Sequence, residues 1–165
     1  MTIAPRLRRY LDRQGAIYEL VEHPHSQSAI GSAAAAHVPP SCVAKAVLLD
    51  LPQEAHDHLL AILSADRRID LDELRATIQS KPELADEREV AEIFEDCEQG
   101  AVPPFGYGVA AIIDDRLFGE PDIFFEAGDH RLLIHMEQAE FRRLVSNARH
   151  GRFGTPWTPT AQLYQ

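Results

Sequence analysis

Two stretches constrain this chain more than any other feature: CVAKAVLLD at residues 42–50 and DHLLAILSA at residues 57–65. Each is apolar on both faces of an extended strand, so each needs cover above and below. The segment between them, PQEAH, is short enough for a hairpin. A buried pair of strands is therefore expected at the centre of a sheet, with helices layered on it.

The other segments can be read around that pair. Ile3, Leu7, Tyr10 and Leu11 share one helix face, Pro5 suits its first turn and Gly15 ends it. AIYELVEH has the β-branched and aromatic content of a strand, and SQSAIGSAAAAHV predicts a short helix that a serine caps and Pro39–Pro40 stop. Asp70 with Glu73 caps a helix over LDELRATI, and another spans about residues 86–94 with Val90 and Ile93 or Phe94 inward. YGVAAIIDDRLFG reads as a strand turning at Asp114–Asp115, PDIFFEAG and HRLLIHM as two more strands, and EQAEFRRLVSNA as a last helix. The predicted fold class is α/β: one domain over residues 1–147 with a mixed, largely antiparallel sheet flanked by helices. An irregular tail rich in Gly, Pro and Thr is expected over 148–165.

A chain of 165 residues can bury around two-thirds of its unfolded surface and needs no covalent staple. Its two cysteines, Cys42 and Cys97, are too few for a disulfide framework or a zinc site and read as small buried side chains. No stretch approaches the roughly 18 apolar residues that span a bilayer. The N-terminal segment lacks the apolar run of a secretory signal. The expectation is a cytoplasmic protein without a membrane partner.

The net charge of −10 argues against a polyanionic partner unless basic residues are gathered locally. They are gathered at two places: Arg6, Arg8, Arg9 and Arg13 stand against only Asp12, and Arg142, Arg143, Arg149 and Arg152 stand against no acid. These form a basic rim if both ends lie on one side, or simply solvated helix faces if they do not.

Lysine occurs twice against fourteen arginines, which makes Lys45 informative. It is the only polar residue between Val43 and Leu49, and alternation places it on the face of Val43, Val47 and Leu49. A buried ammonium costs several kcal/mol unless it is paired or its pKa falls. Lys45 either snorkels or pairs with Asp50, Glu126 or Asp129, or it projects into a pocket toward a phosphate or a polarised carbonyl.

The pairs His23–His25 and His56–His58 lack the helical spacing of a zinc hydrolase. His130 follows Gly128–Asp129 at a strand start, where it faces a cleft or settles a turn. No GxSxG, GxGxxG or phosphate-binding loop occurs, so no cofactor is expected. GAVPPFG, residues 100–106, has two prolines that fix φ and remove donors, flanked by glycines that permit unusual dihedrals. It is a stiff connector, or a pre-organised wall offering the amides of Gly100, Ala101 and Val102.

Taken in order and spacing, VAKAVLL around Lys45, Gly100 to Pro104 as a GxxxP loop, and FFEAGDHRLLIHM with His130 resemble the YbaK/ProX family. These are trans-editing aminoacyl-tRNA deacylases related to the editing insertion of bacterial prolyl-tRNA synthetases. The resemblance runs over about residues 5–145. It implies hydrolysis of the ester joining a wrong, small amino acid to the 3′-terminal adenosine of a tRNA, assisted by a ribose hydroxyl of the substrate. Lys45 and Gly100 would then be catalytic, and Ala101, Val102, Pro103, Pro104, Gly128 and His130 would shape the substrate site. The implied partners are aminoacyl-tRNA and, through it, an aminoacyl-tRNA synthetase; Arg142, Arg143 and Arg149 would neutralise tRNA phosphates. The rival is a module of the same fold that binds aminoacyl-tRNA or an amino acid without hydrolysis. If this assignment of the loop and Lys45 to one pocket is right, the amides of Gly100 to Val102 face the same cleft as the Lys45 ammonium.

Overall fold

The computed structural model describes residues 2–55 and 57–157. In chain order the elements are α1 (Pro5–Arg13), β1 (Glu19–Glu22), α2 (Ala29–Ala35), β2 (Ala44–Leu51), β3 (Asp57–Ser64), β4 (Arg67–Ile69) and α3 (Leu71–Ile78). There follow β5 (Glu83–Leu84), α4 (Glu87–Ile93), β6 (Ala111–Asp114), β7 (Asp122–Glu126), β8 (Leu132–Glu137), α5 (Gln138–Leu144), β9 (Arg149–Gly151) and β10 (Gly154–Pro156). The helices start where the sequence caps them. Ser28 Oγ accepts the Gly31 amide, Asp70 accepts the amides of Asp72 and Glu73, and Asp86 accepts that of Glu89. Gly15 closes α1 with φ +59°.

The predicted hairpin forms, running from Ala44 opposite Ser64 to Leu51 opposite Asp57. It is the centre of a five-stranded sheet ordered β5-β2-β3-β6-β9, in which β3–β6 and β6–β9 are parallel. A second, antiparallel sheet is ordered β1-β8-β7, and β10 pairs with β4. One parallel bridge, Val43 to Phe124, ties the first two sheets together.

The two faces of the hairpin serve different cores. Ala44, Leu48, Leu60 and Ile62 pack with Leu7 and Leu11 of α1, Phe125 of β7 and Phe141 of α5. Leu49, Leu51, Leu59, Ala61 and Leu63 pack with Leu74 and Ile78 of α3 and with Phe153. Each such Leu or Phe contributes about 1.5–3 kcal/mol by leaving water, which fixes the register because a one-residue slip would exchange the faces.

The chain after residue 147 departs from the irregular tail its composition suggests. β9 adds to the sheet edge, Phe153 is fully buried, and β10 pairs with β4 through Thr155 opposite Arg68. The cause is one remote carboxylate. Buried Asp114 Oδ2 accepts the amides of Phe153 at 3.0 Å and Gly154 at 2.7 Å, while the Phe153 carbonyl accepts the Asp70 amide at 2.7 Å. Satisfied backbone and one apolar anchor thus outweigh a loop-like composition. Residues 158–165 of that expected tail lie outside the described residues.

One feature of β2 positions the site. Its inner edge is fully laddered to β3, but its outer edge meets β7 only at Val43 and β5 only at Leu49 and Asp50. Between those points no strand among the described residues covers it. Val43 O bonds inward to Ala65 N, and Leu48 O bonds outward to Ala85 N. Antiparallel alternation therefore turns the N–H and C=O of Ala46 out of the open edge.

Candidate functional site

Lys45 lies opposite Leu63, on the face of β2 that serves the α3 core. Its Nζ is 5.1 Å from the centroid of the Trp157 ring. With Ser28, Ala29, Ile30, Ala65 and Arg68, these two residues line a cavity of about 270 Å³. Burial pushes the Lys45 pKa down to about 8, opposed by the charge of Asp66. Glu126, one of the partners considered for it, faces His130 instead.

Gly100 and Val102 line a different and larger cavity, about 590 Å³, together with Ala46, Leu48, Val90, Phe94 and Cys97. Gly100 has φ +80°, a left-handed conformation in which a side chain is strained. The Ala101 amide is committed to Glu98 O at 3.0 Å, so Gly100 and Val102 supply the loop amides that have no backbone partner among the described residues. Ala101 to Pro104 are buried, and the Phe105 ring lies between Tyr10, tilted by 30°, and Phe125, edge-on at 79°, with centroids 5.1 Å from each. GAVPPFG is thus a wall seated on the core. Pro104 lies on the far side of that wall, in a separate cavity with Tyr10 and Arg13.

His130 lines neither cavity and is only 3% exposed. Its Nε2 meets Gln99 O at 2.7 Å, its Nδ1 opposes Glu126 Oε2 at 3.2 Å, and its amide donates to Glu98 Oε2 at 3.3 Å. The Glu126 carboxylate and the Gln99 carbonyl raise its pKa to about 9 against the opposing effect of burial. As an imidazolium it pins the loop just before Gly100. Gly128 lets two segments approach closely. Its φ is +110°, and a Cβ there would come within 2.5 Å of Ala4 Cβ, where the Ala4 amide bonds Ala127 O.

The three arginines expected on tRNA engage different elements. The Arg142 guanidinium lies 4.7 Å from the Phe118 ring centroid, Arg143 pairs with Glu140 and donates to Gln14 O, and Arg149 donates to Thr77 O. Both thiols are inert: burial pushes Cys42 up to about 11 and Cys97 up to about 12.

Contrary to the expectation from the sequence, the Lys45 ammonium and the loop amides do not line one cavity, so the single pocket assigned to them is not formed. They lie on opposite faces of β2, since Lys45 aligns with Leu63 of one core and Ala46 with Ile62 of the other. Ala46, on the open edge, lines the loop-side cavity and is the chain neighbour of Lys45, which lines the other. Sequence reasoning missed Ala46, Arg68 and Trp157. Trp157 carried one usable signal, as the only tryptophan of the chain.

Comparison with known proteins bears on the fold and the family. A structure described as "a putative trans-editing enzyme for prolyl tRNA synthetase" is 23% identical, with a TM-score of 0.78 over 93% of this chain and 99% of that one. "Hypothetical protein APE2540" is 16% identical, with a TM-score of 0.79 over 91% and 99%. A structure described as "a Putative signal transduction protein" from Marinobacter aquaeolei VT8 shares 19% identity and a TM-score of 0.72 over 91% of this chain but 30% of its own. These likenesses establish the fold. No curated protein sequence matches the chain. Residues 23–144 match the family model "Aminoacyl-tRNA editing domain". With well over half its length so matched, the chain belongs to the aminoacyl-tRNA editing domain family.

Proposed function

We propose that this protein, a hydrolase of the aminoacyl-tRNA ester by its family, acts in trans on a tRNA mischarged with a small amino acid, and that a ribose hydroxyl of the substrate helps position the attacking water. The observation that carries this reading is the open edge of β2, with Lys45 on one face and the Gly100–Val102 wall on the other. A terminal nucleotide held on the Lys45 side extends its aminoacyl group past Ala46 into the loop-side cavity. The ester carbonyl then meets outward backbone groups of the edge and the free amides of the wall. Such donors act where charge develops in the tetrahedral intermediate and cost no reorganisation. Burial raises the pKa of Cys42 and Cys97 and so disfavours a thiolate nucleophile, and an aminoacyl ester is reactive enough for positioning of a water to supply much of the rate.

The size limit follows from stiffness. Ala101 to Pro104 are buried against the core, so the wall cannot retreat to admit a larger side chain. A second site with a wall of this kind clears products that a synthetase's own pocket distinguishes by only about 1–3 kcal/mol. The test is release of amino acid from tRNAs charged with Ala, Ser, Thr, Cys or Pro, by wild type and by Lys45→Ala. Release from one small amino acid, lost in the variant, is expected. Release from none sinks the enzyme reading and leaves a binding module.

A further inference from the structure

The cavity around Lys45 contains more than a lysine, and part of it is built by chain outside the matched family region, which ends at residue 144. Trp157 reaches it because β10 is pinned to β4 and the Trp157 amide donates to Asp66 O at 3.0 Å. The indole is half-buried, with the Lys45 ammonium near one face. Ala29, Ile30 and Ala65 supply apolar walls, and Arg68 supplies a second cation. In a molecule of net charge −10, neither Lys45 nor Arg68 has a carboxylate within ion-pair distance among the described residues, and no acid lines the cavity.

An aromatic plane, apolar walls and two such cations are complementary to one ligand chemistry: a flat, π-rich base joined to a phosphate. Bases stack on indole without regard to sequence, and guanidinium or ammonium groups take the phosphate oxygens. We propose that Trp157 is a substrate-binding residue on which the 3′-terminal base of the tRNA stacks, with Lys45 and Arg68 receiving its 5′-phosphate. This deepens the proposed function and rests on it. It places the base on one side of the open edge of β2 and the aminoacyl group on the other. It also makes the segment after the family domain part of the site rather than an appendage.

The single tryptophan is its own probe. Adenosine 5′-monophosphate is titrated into wild-type protein while indole emission is followed, with excitation at the red edge of the indole band where adenine does not absorb. Saturable quenching by the nucleotide, absent with ribose 5-phosphate and weakened at least fivefold in apparent Kd by Arg68→Ala, is expected. In deacylation, Trp157→Ala raises KM about tenfold with kcat nearly unchanged, the size of one lost base stack, and Trp157→Phe recovers most of it. No quenching by the nucleotide overturns the proposal. So does a Trp157→Ala variant whose KM is unmoved, or whose activity rises as it would if the indole were a lid over Lys45. The fluorescence titration needs no turnover, so a protein that binds the nucleotide yet hydrolyses no aminoacyl-tRNA would fail the enzymatic reading and keep this one.

Discussion

The two cavities flanking β2 are made of opposite materials. On the loop side, Gly100 and Val102 belong to a wall whose residues 101–104 are buried, backed by Phe105 between two aromatic rings and pinned by His130. On the Lys45 side, the lining is a lowered-pKa ammonium, an exposed arginine and an indole that directly follows a three-residue strand. On the proposed function, the first side would select by shape, because its backbone has little freedom left, and the second would attract by charge and flat surface. Editing a small amino acid from a common nucleotide end would use that division, with strictness where substrates differ and tolerance where they do not.

The largest expected effect tests the stiffness of the loop side. His130→Ala leaves the Glu126 carboxylate buried beside a void, and breaking a buried ion pair costs roughly 3–5 kcal/mol. The sign of the pH dependence follows from the raised pKa. Folding favours the protonated His130, so its contribution is full below its unfolded pKa near 6.5 and is lost as pH rises through about 9. Urea midpoints of wild type should therefore fall across that window relative to a Glu126→Gln variant, in which the pull on the proton is gone. Parallel midpoint curves would show that the pair does not hold the loop.

Lys45→Ala probes the charged side, with an expected loss of roughly 100-fold in kcat/KM, the upper range for one lost charge-assisted hydrogen bond to a phosphate. The wild-type rate should also decline above about pH 8, where the Lys45 ammonium loses its proton. Gly100→Ala returns to the wall with a smaller effect. A left-handed alanine costs about 1–2 kcal/mol, while the added Cβ meets only the His130 ring, with Nε2 at 3.5 Å, an ordinary contact. A Tm lowered by a few degrees and about tenfold lower kcat are expected. If Lys45→Ala alters which amino acid is released, or Gly100→Ala alters nucleotide affinity, the division between the sides does not hold.

The difference between the sides also explains what could be read from sequence. Lys45 was legible because a lone polar residue in VAKAVLL violates strand patterning, and the loop because prolines and glycines constrain backbone wherever they occur. Both are local signals. That the two lie on opposite faces of one strand was equally implicit in alternation, yet it becomes visible only once the register assigns Lys45 to Leu63 and Ala46 to Ile62. The open edge could not be read at all, since it is defined by where β5 and β7 stop. Nor could the docking of Phe153 and Trp157, which depends on Asp114, about forty residues earlier, as an acceptor for two amides.

The smallest expected effect concerns the basic ends, which lie outside both cavities. Arg142, Arg143 and Arg149 each already satisfy a carbonyl, and Arg143 also pairs with Glu140. A phosphate must compete with those partners, so each residue adds little to affinity, and Arg→Ala at any one should weaken tRNA binding by about two- to threefold. The informative quantity is the salt dependence. Each true phosphate contact contributes close to one unit to the slope of log affinity against log salt, so the triple variant should flatten that slope by between one and three units. The same measurement on Arg68→Ala supplies the contrast, because Arg68 has no ion-pair partner among the described residues and should lose a full unit alone. A slope unchanged in the triple variant but reduced in Arg68→Ala would confine tRNA phosphate recognition to the Lys45 side, leaving Arg142, Arg143 and Arg149 as surface side chains with intramolecular partners only.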